Sequence, residues 1–348
     1  MNIARRLDEI GVQRVEAGFP AAAQDEMDAL KAIVKESLEA EVIGFARALK
    51  SDIDAVIECG CFGIMLSFPP SDIHLKYKLG ISRQEYLERA VNCVEYAKDH
   101  GLYVTYSAED STRTELSFLL TVFKTVIDCG VDCPRIVDTL GICTPTLMNK
   151  YVSAVKKLTS LPIEVHCHDD HGMAVANSIA AFEAGASVIS SSVNGIGERT
   201  GIAPTEEVII TLHNLYGIRG FKTEGLYDLC KFVEKISGII IPLNKPVSGE
   251  NVFSHVSGIH QAAVLKQAIT YEPYPPEIIG RKRRFILGKL SGSHAVEAKL
   301  KEYGISVSKD ETLKITEKVK TLSEIRRSAI TDNEFLSLVE DLLGRKVF

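Results

Sequence analysis

Short β-rich runs alternate with segments of helical apolar spacing over the first two thirds of the chain. The runs are Arg14–Pro20, Glu41–Arg47, Ala55–Gly63, Tyr103–Asp110, Arg135–Gly141, Ile163–Asp170 and Ser187–Gly195. Between them apolar residues recur every three or four positions. Tyr86, Ala90, Cys93, Val94 and Ala97, for example, mark one face of a helix. Strand and helix in strict alternation predict an α/β fold with parallel strands joined by helical crossovers. The runs end in polar or glycine-containing clusters, as expected where loops build a site at the C-terminal rim of a sheet or barrel.

The pattern opens on a helix rather than a strand. Ile3, Leu7 and Ile10 fall at helical spacing, and Gly11 can end that helix. Seven strand candidates precede residue 200. Read as a TIM (β/α)₈ barrel, the chain lacks the first strand, and seven strands would leave two unpaired edges. Residues upstream of Met1, or another element, are expected to fill that gap. After about residue 218 the pattern changes. Asn244–Pro246 and Tyr271–Pro276 mark irregular linking structure, and the last 60 residues or so read as amphipathic helices rich in Lys and Glu. The expected division is a barrel domain over 1–216 and a linker with a small helical subdomain over 217–348.

Composition narrows the class without naming a chemistry. Hydrophobic residues make up 45% and charged residues 25% of the 348, an ordinary globular mix. A net charge of -6 points to neither a nucleic-acid nor an anionic-membrane partner. No apolar run reaches the roughly 18–20 residues that span a bilayer, and the N-terminus lacks a secretory apolar region. The eight cysteines are too few and scattered for a disulfide framework, and neither the CGC pair (Cys59, Cys61) nor the CGVDC pair (Cys129, Cys133) has a partner knuckle. Buried thiols in a reducing, cytoplasmic setting are expected.

Four stretches carry candidate chemistry. In His166-Cys167-His168-Asp169-Asp170-His171, positions i and i+2 of a strand point to one face, so His166 and His168 aim side by side and can share a metal ion. His171 is a further candidate ligand. Asp169 and Asp170 read either as site residues or as caps of the helix that follows. Asn194–Gly201 (NGIGERTG) offers Gly195 and Gly197 for close backbone approach to a ligand, or simply a flexible loop. In Ser107–Arg113 (SAEDSTR), Glu109 can accept a proton and Ser107 can bind substrate. In Asp138–Gly141 (DTLG), Thr139 can hydrogen-bond a substrate carboxylate. Arg47, ending the second run, is a further substrate-binding candidate.

Together these stretches resemble the isopropylmalate/homocitrate synthase branch of the metal-dependent TIM-barrel lyases and synthases. VEAGFP (Val15–Pro20), IHLKYK (Ile73–Lys78) and the tail GENVFSHVSGIH (Gly249–His260) followed by TYEPYPPEIIG extend the resemblance over nearly the whole chain. It implies a Claisen condensation between acetyl-CoA and a 2-oxo acid, with Mg²⁺, Mn²⁺ or Zn²⁺ polarising the ketone. By position in the motifs His166 and His168 match metal ligands, and Glu109 and Thr139 match substrate-orienting residues. His260, with Tyr271 as a second candidate, matches a group delivered to the partner subunit's site, which implies a homodimer with shared sites.

The departures from the pattern are expectations too. The family's first-strand Arg-Asp pair, whose Asp is a third metal ligand, has no counterpart in the chain as given. The Asn that usually follows GERxG is Ile202, Gln261 leads to Ala262 and Ala263 rather than Asp-Gly, and the arginine of lysine-pathway enzymes is Thr105. The absence of a regulatory domain before Phe348 tilts the expectation toward a homocitrate or related synthase, whereas Thr105 leaves a smaller or apolar 2-oxo acid open. The alternatives are a non-catalytic or truncated homologue completing another chain's site, and a related metal-dependent aldolase or lyase.

Overall fold

The computed structural model describes residues 1–347 and places seven strands in one all-parallel sheet. They are β1 (Arg14–Glu16), β2 (Glu41–Arg47), β3 (Gly63–Ser67), β4 (Tyr103–Ala108), β5 (Cys133–Asp138), β6 (Glu164–Cys167) and β7 (Val188–Ser190), in that spatial order. The middle strands are buried on both faces, as helix-covered parallel strands must be; every residue of β5 is buried. The register brings inward positions level: Ser107 lies opposite Ser67 and Arg135, Arg135 opposite Glu164, and His166 opposite Ser190. The sheet curls as a TIM barrel does. Arg135 on β5 reaches across the interior to Glu16 on β1, at 3.0 Å.

The crossover helices follow from local signals. Ser82 and Glu85 form a reciprocal capping box at the start of Arg83–Asp99. Thr144 caps Pro145–Lys156, whose first residue is a proline that has no N–H to satisfy. Tyr86, Ala90, Cys93, Val94 and Ala97 form the buried face of Arg83–Asp99, as their spacing predicts. One predicted strand is corrected. Ala55–Gly63 is not a strand: Lys50–Cys59 is a helix that buries Ile53, Val56 and Cys59 and stops at left-handed Gly60, and β3 begins only at Gly63. A short apolar run suits either element, and here the three-residue spacing of the buried side chains decides.

The chain separates into two compact units, Met1–Ile239 and a second from Ile240 onward. Residues 217–239, assigned to the linker by pattern alone, include the helix Leu226–Ser237, which belongs to the first unit. It packs against the helix Asn2–Glu9, with Arg6 lying over the Phe232 ring. The second unit holds four helices, Gly258–Lys266, Ser293–Glu302, Lys309–Arg326 and Asp332–Leu343, and a two-residue parallel pair, Ser254–His255 with Arg284–Phe285. Its core includes Leu287, Val296, Ile315, Val319, Phe335 and Val339.

No helix among the described residues is long and apolar enough to cross a membrane. All eight cysteines are free, and all but Cys129 are buried. Burial pushes the thiols of Cys61, Cys133, Cys143 and Cys167 up to about 12.

Candidate active site

The strands end earlier than their apolar runs, and the polar ends become a rim of interlocked loops. The backbone N–H of Asp110 donates to Thr139 Oγ1 at 2.7 Å, joining the SAEDSTR and DTLG loops. The N–H of His168 donates to the Asp138 carbonyl, and His171 Nδ1 contacts the Gly141 carbonyl at 2.8 Å, joining DTLG to the histidine stretch. Arg199 then grips Asp170 with two hydrogen bonds of 2.8 and 2.7 Å and donates a third to the Thr139 carbonyl. Thus the four stretches singled out in the sequence form one continuous surface.

Two glycines make this interlocking possible. A Cβ on Gly141 would stand 2.7 Å from the Asp170 nitrogen, and one on Gly201 would overlap the Gly195 carbonyl oxygen; both have positive φ. Gly201→Ala is therefore expected to lower stability by more than about 1 kcal/mol and to loosen the Arg199–Asp170 clasp, measurable by urea denaturation. Gly195 also has positive φ and lies tight against Pro204 and Ile202, and Gly197 packs on Gly201. The loop is thus folded onto itself rather than flexible.

His166 and His168 converge as the alternation of β6 predicts. Their Nε2 atoms are 3.2 Å apart, with ring centroids 5.0 Å apart at 71°. Burial, the Arg135 cation and the neighbouring ring hold His166 well below the usual imidazole range. Burial and Arg199 also lower His168. Both rings are therefore neutral near pH 7, the form a metal ligand needs.

Beneath the pair lies a feature not anticipated from the sequence. Arg135 is a buried hub, donating to Glu16 and to Ser190 Oγ (2.9 Å) and lying 3.3 Å from Glu164. Its Nη2 is also 2.7 Å from His166 Nδ1. A guanidinium only donates, so this contact makes Nδ1 an acceptor and gives His166 an Nε2–H that bonds His168. The Ser190 hydroxyl, 2.9 Å from the same Nδ1, offers the alternative: it can accept an Nδ1–H, freeing Nε2 as a ligand. Glu164 is pushed up by burial against the pull of Arg135. The signal for this hub in the sequence is an arginine in the middle of the short β5 run, at an inward position.

Glu109 is partly exposed, with both carboxylate oxygens on Lys78 Nζ at 2.7 and 2.8 Å. Thr139 spends its acceptor on Asp110 and keeps its hydroxyl proton to donate. Ser107 is buried on β4 next to Arg135 in register. Asp169 Oδ1 accepts the Ala174 N–H at the start of the next helix, although Met173 occupies the N-cap position itself. Arg47 is engaged elsewhere, paired with Asp52 at 2.7 Å and lying over Phe19. His260 and Tyr271 belong to the second unit, where their rings stack at 3.9 Å.

With His166 in its Nδ1–H form, bonded to Ser190, the spacing of the histidine pair suits two positions around one ion. Bonds of about 2.0–2.1 Å at tetrahedral to right angles separate two nitrogens by about 2.8–3.4 Å, which includes the observed spacing. No third His, Cys, Asp or Glu joins them among the described residues. His171 is turned to Gly141, and Ile202, bridged to His168 by backbone pairing, has no donor atom.

Comparison with known proteins assigns this rim to a family. Residues 1–234 match the HMGL-like family, and residues 247–327 match the homocitrate synthase post-HMGL domain-like family. The chain belongs to the HMGL-like family. It is 48% identical to a homocitrate synthase AksA of Methanopyrus kandleri, over 99% of this chain and 86% of that protein. It is 45% identical to a 2-isopropylmalate synthase of Methanocaldococcus jannaschii, over 99% of this chain and 67% of that one. It is 46% identical to a putative (R)-citramalate synthase CimA of Methanopyrus kandleri, over 99% of this chain and 68% of that one. Among solved structures, hydroxymethylglutaryl-CoA lyase from Pseudomonas aeruginosa superposes with a TM-score of 0.62 at 21% identity, covering 69% of this chain and 86% of that one. The likeness extends to the fold.

Proposed function

We propose that this protein catalyses an acetyl-CoA-dependent Claisen condensation with a 2-oxo acid, as a homocitrate, isopropylmalate or citramalate synthase does. The observation that carries this reading is the convergence of two imidazoles at the rim of a barrel whose chain is 45–48% identical to such synthases over nearly its whole length. The post-HMGL domain favours a synthase over a lyase of the same superfamily.

His166 and His168 would hold a divalent ion, Mg²⁺, Mn²⁺ or Zn²⁺. When bound it supplies a Lewis acid for the keto oxygen and carboxylate of the 2-oxo acid. The Thr139 hydroxyl donates to the substrate carboxylate, and Ser107 lines its approach. Glu109 orients the reacting groups or accepts a proton, and the backbone at Gly195 and Gly197 closes the rim. Loss of a proton from the acetyl methyl gives an enolate, which attacks the ketone, and water then hydrolyses the thioester to release CoA. Arg47, though paired with Asp52, stands at a strand's C-terminal end and is retained as a substrate-binding candidate. The exposed His260–Tyr271 stack supports a homodimer in which this pair serves the partner copy's site in acid/base work. The buried free thiols suit a cytoplasmic setting.

The test is CoA release from acetyl-CoA with Mn²⁺ or Mg²⁺ and a panel of pyruvate, 2-oxoisovalerate, 2-oxoglutarate and oxaloacetate. One of the four is expected to stimulate release. Release with none of them would overturn the proposal.

A further inference from the structure

The IHLKYK stretch is taken up by no step above, yet the structure turns it onto the candidate active site. Three residues of α-helix, Asp72–His74, pass directly into a π-helical turn, Leu75–Leu79, which stops at left-handed Gly80. π-helical turns are rare, and they recur at functional sites because the extra residue re-aims the side chains that follow. The segment is anchored at both levels of its start. Leu75 is buried in the barrel core, and the Ser71 hydroxyl donates to Asp110 Oδ2 at 2.5 Å. His74 Nδ1 is buried without a hydrogen-bond partner, 3.6 Å from Asp110 and 3.9 Å from Glu109. The turn therefore delivers Lys78 Nζ onto both oxygens of Glu109, while Lys76 and Tyr77, its neighbours on the same turn, face solvent.

We propose that Lys78, aimed by the π-helical turn, is the positioning residue for Glu109: it holds both carboxylate oxygens in one orientation, so that Glu109 presents a fixed acceptor to the substrates. The inference rests on the condensation reading and on the role of Glu109 in it. An ammonium bonded to both oxygens removes the carboxylate's rotational freedom at the moment of reaction, which is an orientation effect on turnover rather than on substrate binding.

The experiment measures CoA release, with the 2-oxo acid that stimulates it, for Lys78→Met, Lys78→Arg, Glu109→Gln and the Lys78→Met/Glu109→Gln double variant. Lys78 is half exposed, so thermal melts of the single variants are expected to overlay those of the parent. Lys78→Met is expected to lower kcat by about tenfold to a hundredfold with KM for the 2-oxo acid little changed, and Lys78→Arg to recover most of it. The double variant should be no slower than Glu109→Gln alone. Full kcat in Lys78→Met alongside an impaired Glu109→Gln would overturn the inference and leave the condensation reading standing, as would a loss confined to KM. Full activity in Glu109→Gln would overturn the role of Glu109 itself.

Discussion

His166→Ala is expected to abolish binding of Mn²⁺ and to lower kcat/KM for condensation at least about a thousandfold, equivalent to about 4 kcal/mol of transition-state stabilisation. The ring supplies one of the two imidazole nitrogens that converge on the site, and no group of three or more His, Cys, Asp or Glu among the described residues offers the ion another seat. His168→Gln should give the same loss, because an amide oxygen at that point is a weaker donor to a divalent ion than an imidazole. Titration of Mn²⁺ by electron paramagnetic resonance separates the two effects, as it reads the ion directly. Unchanged affinity in both variants would remove the histidine pair from the mechanism.

The second large effect concerns stability. Arg135→Met is expected to lower the free energy of unfolding by about 3–5 kcal/mol in urea denaturation, because it leaves the buried Glu164 carboxylate without its cation. Glu16, a further partner, is 40% exposed and can turn to water, so most of the deficit belongs to Glu164. The sign of the pH dependence follows. Burial already raises the Glu164 carboxyl, and loss of Arg135 removes the larger of the two influences that lower it, leaving Arg14. A carboxyl whose folded-state value lies above its unfolded value destabilises the fold when ionised. The deficit should therefore be full at neutral pH and shrink as the pH falls toward the ordinary carboxylate range. Arg135→Met/Glu164→Gln should recover part of the loss; a double variant no better than the single would assign the cost to packing instead.

The parts of this fold legible in the sequence were those encoded locally. Period-two alternation put His166 and His168 on one face, period-3.6 spacing marked the helix Arg83–Asp99, and the rim loops were readable because glycine and acidic clusters follow each strand. The contacts that organise the site were not legible, because they join residues distant in the chain. Arg135 meets Glu16 across 119 positions, and Lys78 meets Glu109 across 31. The run Ala55–Gly63 misled because its apolar residues satisfy a strand template as well as a helical one, and only packing against neighbouring elements chose between them. The helix Leu226–Ser237 was missed for a similar reason: its partner, Asn2–Glu9, lies at the opposite end of the unit.

The same burial that shields the thiols has a consequence for the life of the protein. Seven of the eight sulfurs lie inside the packed units, and burial holds four of the thiols in their protonated, unreactive form. Peroxide or electrophiles must first open the fold before they find a nucleophile there. For the seven buried thiols, oxidative stress would thus act as loss of folded molecules rather than as a graded brake on turnover.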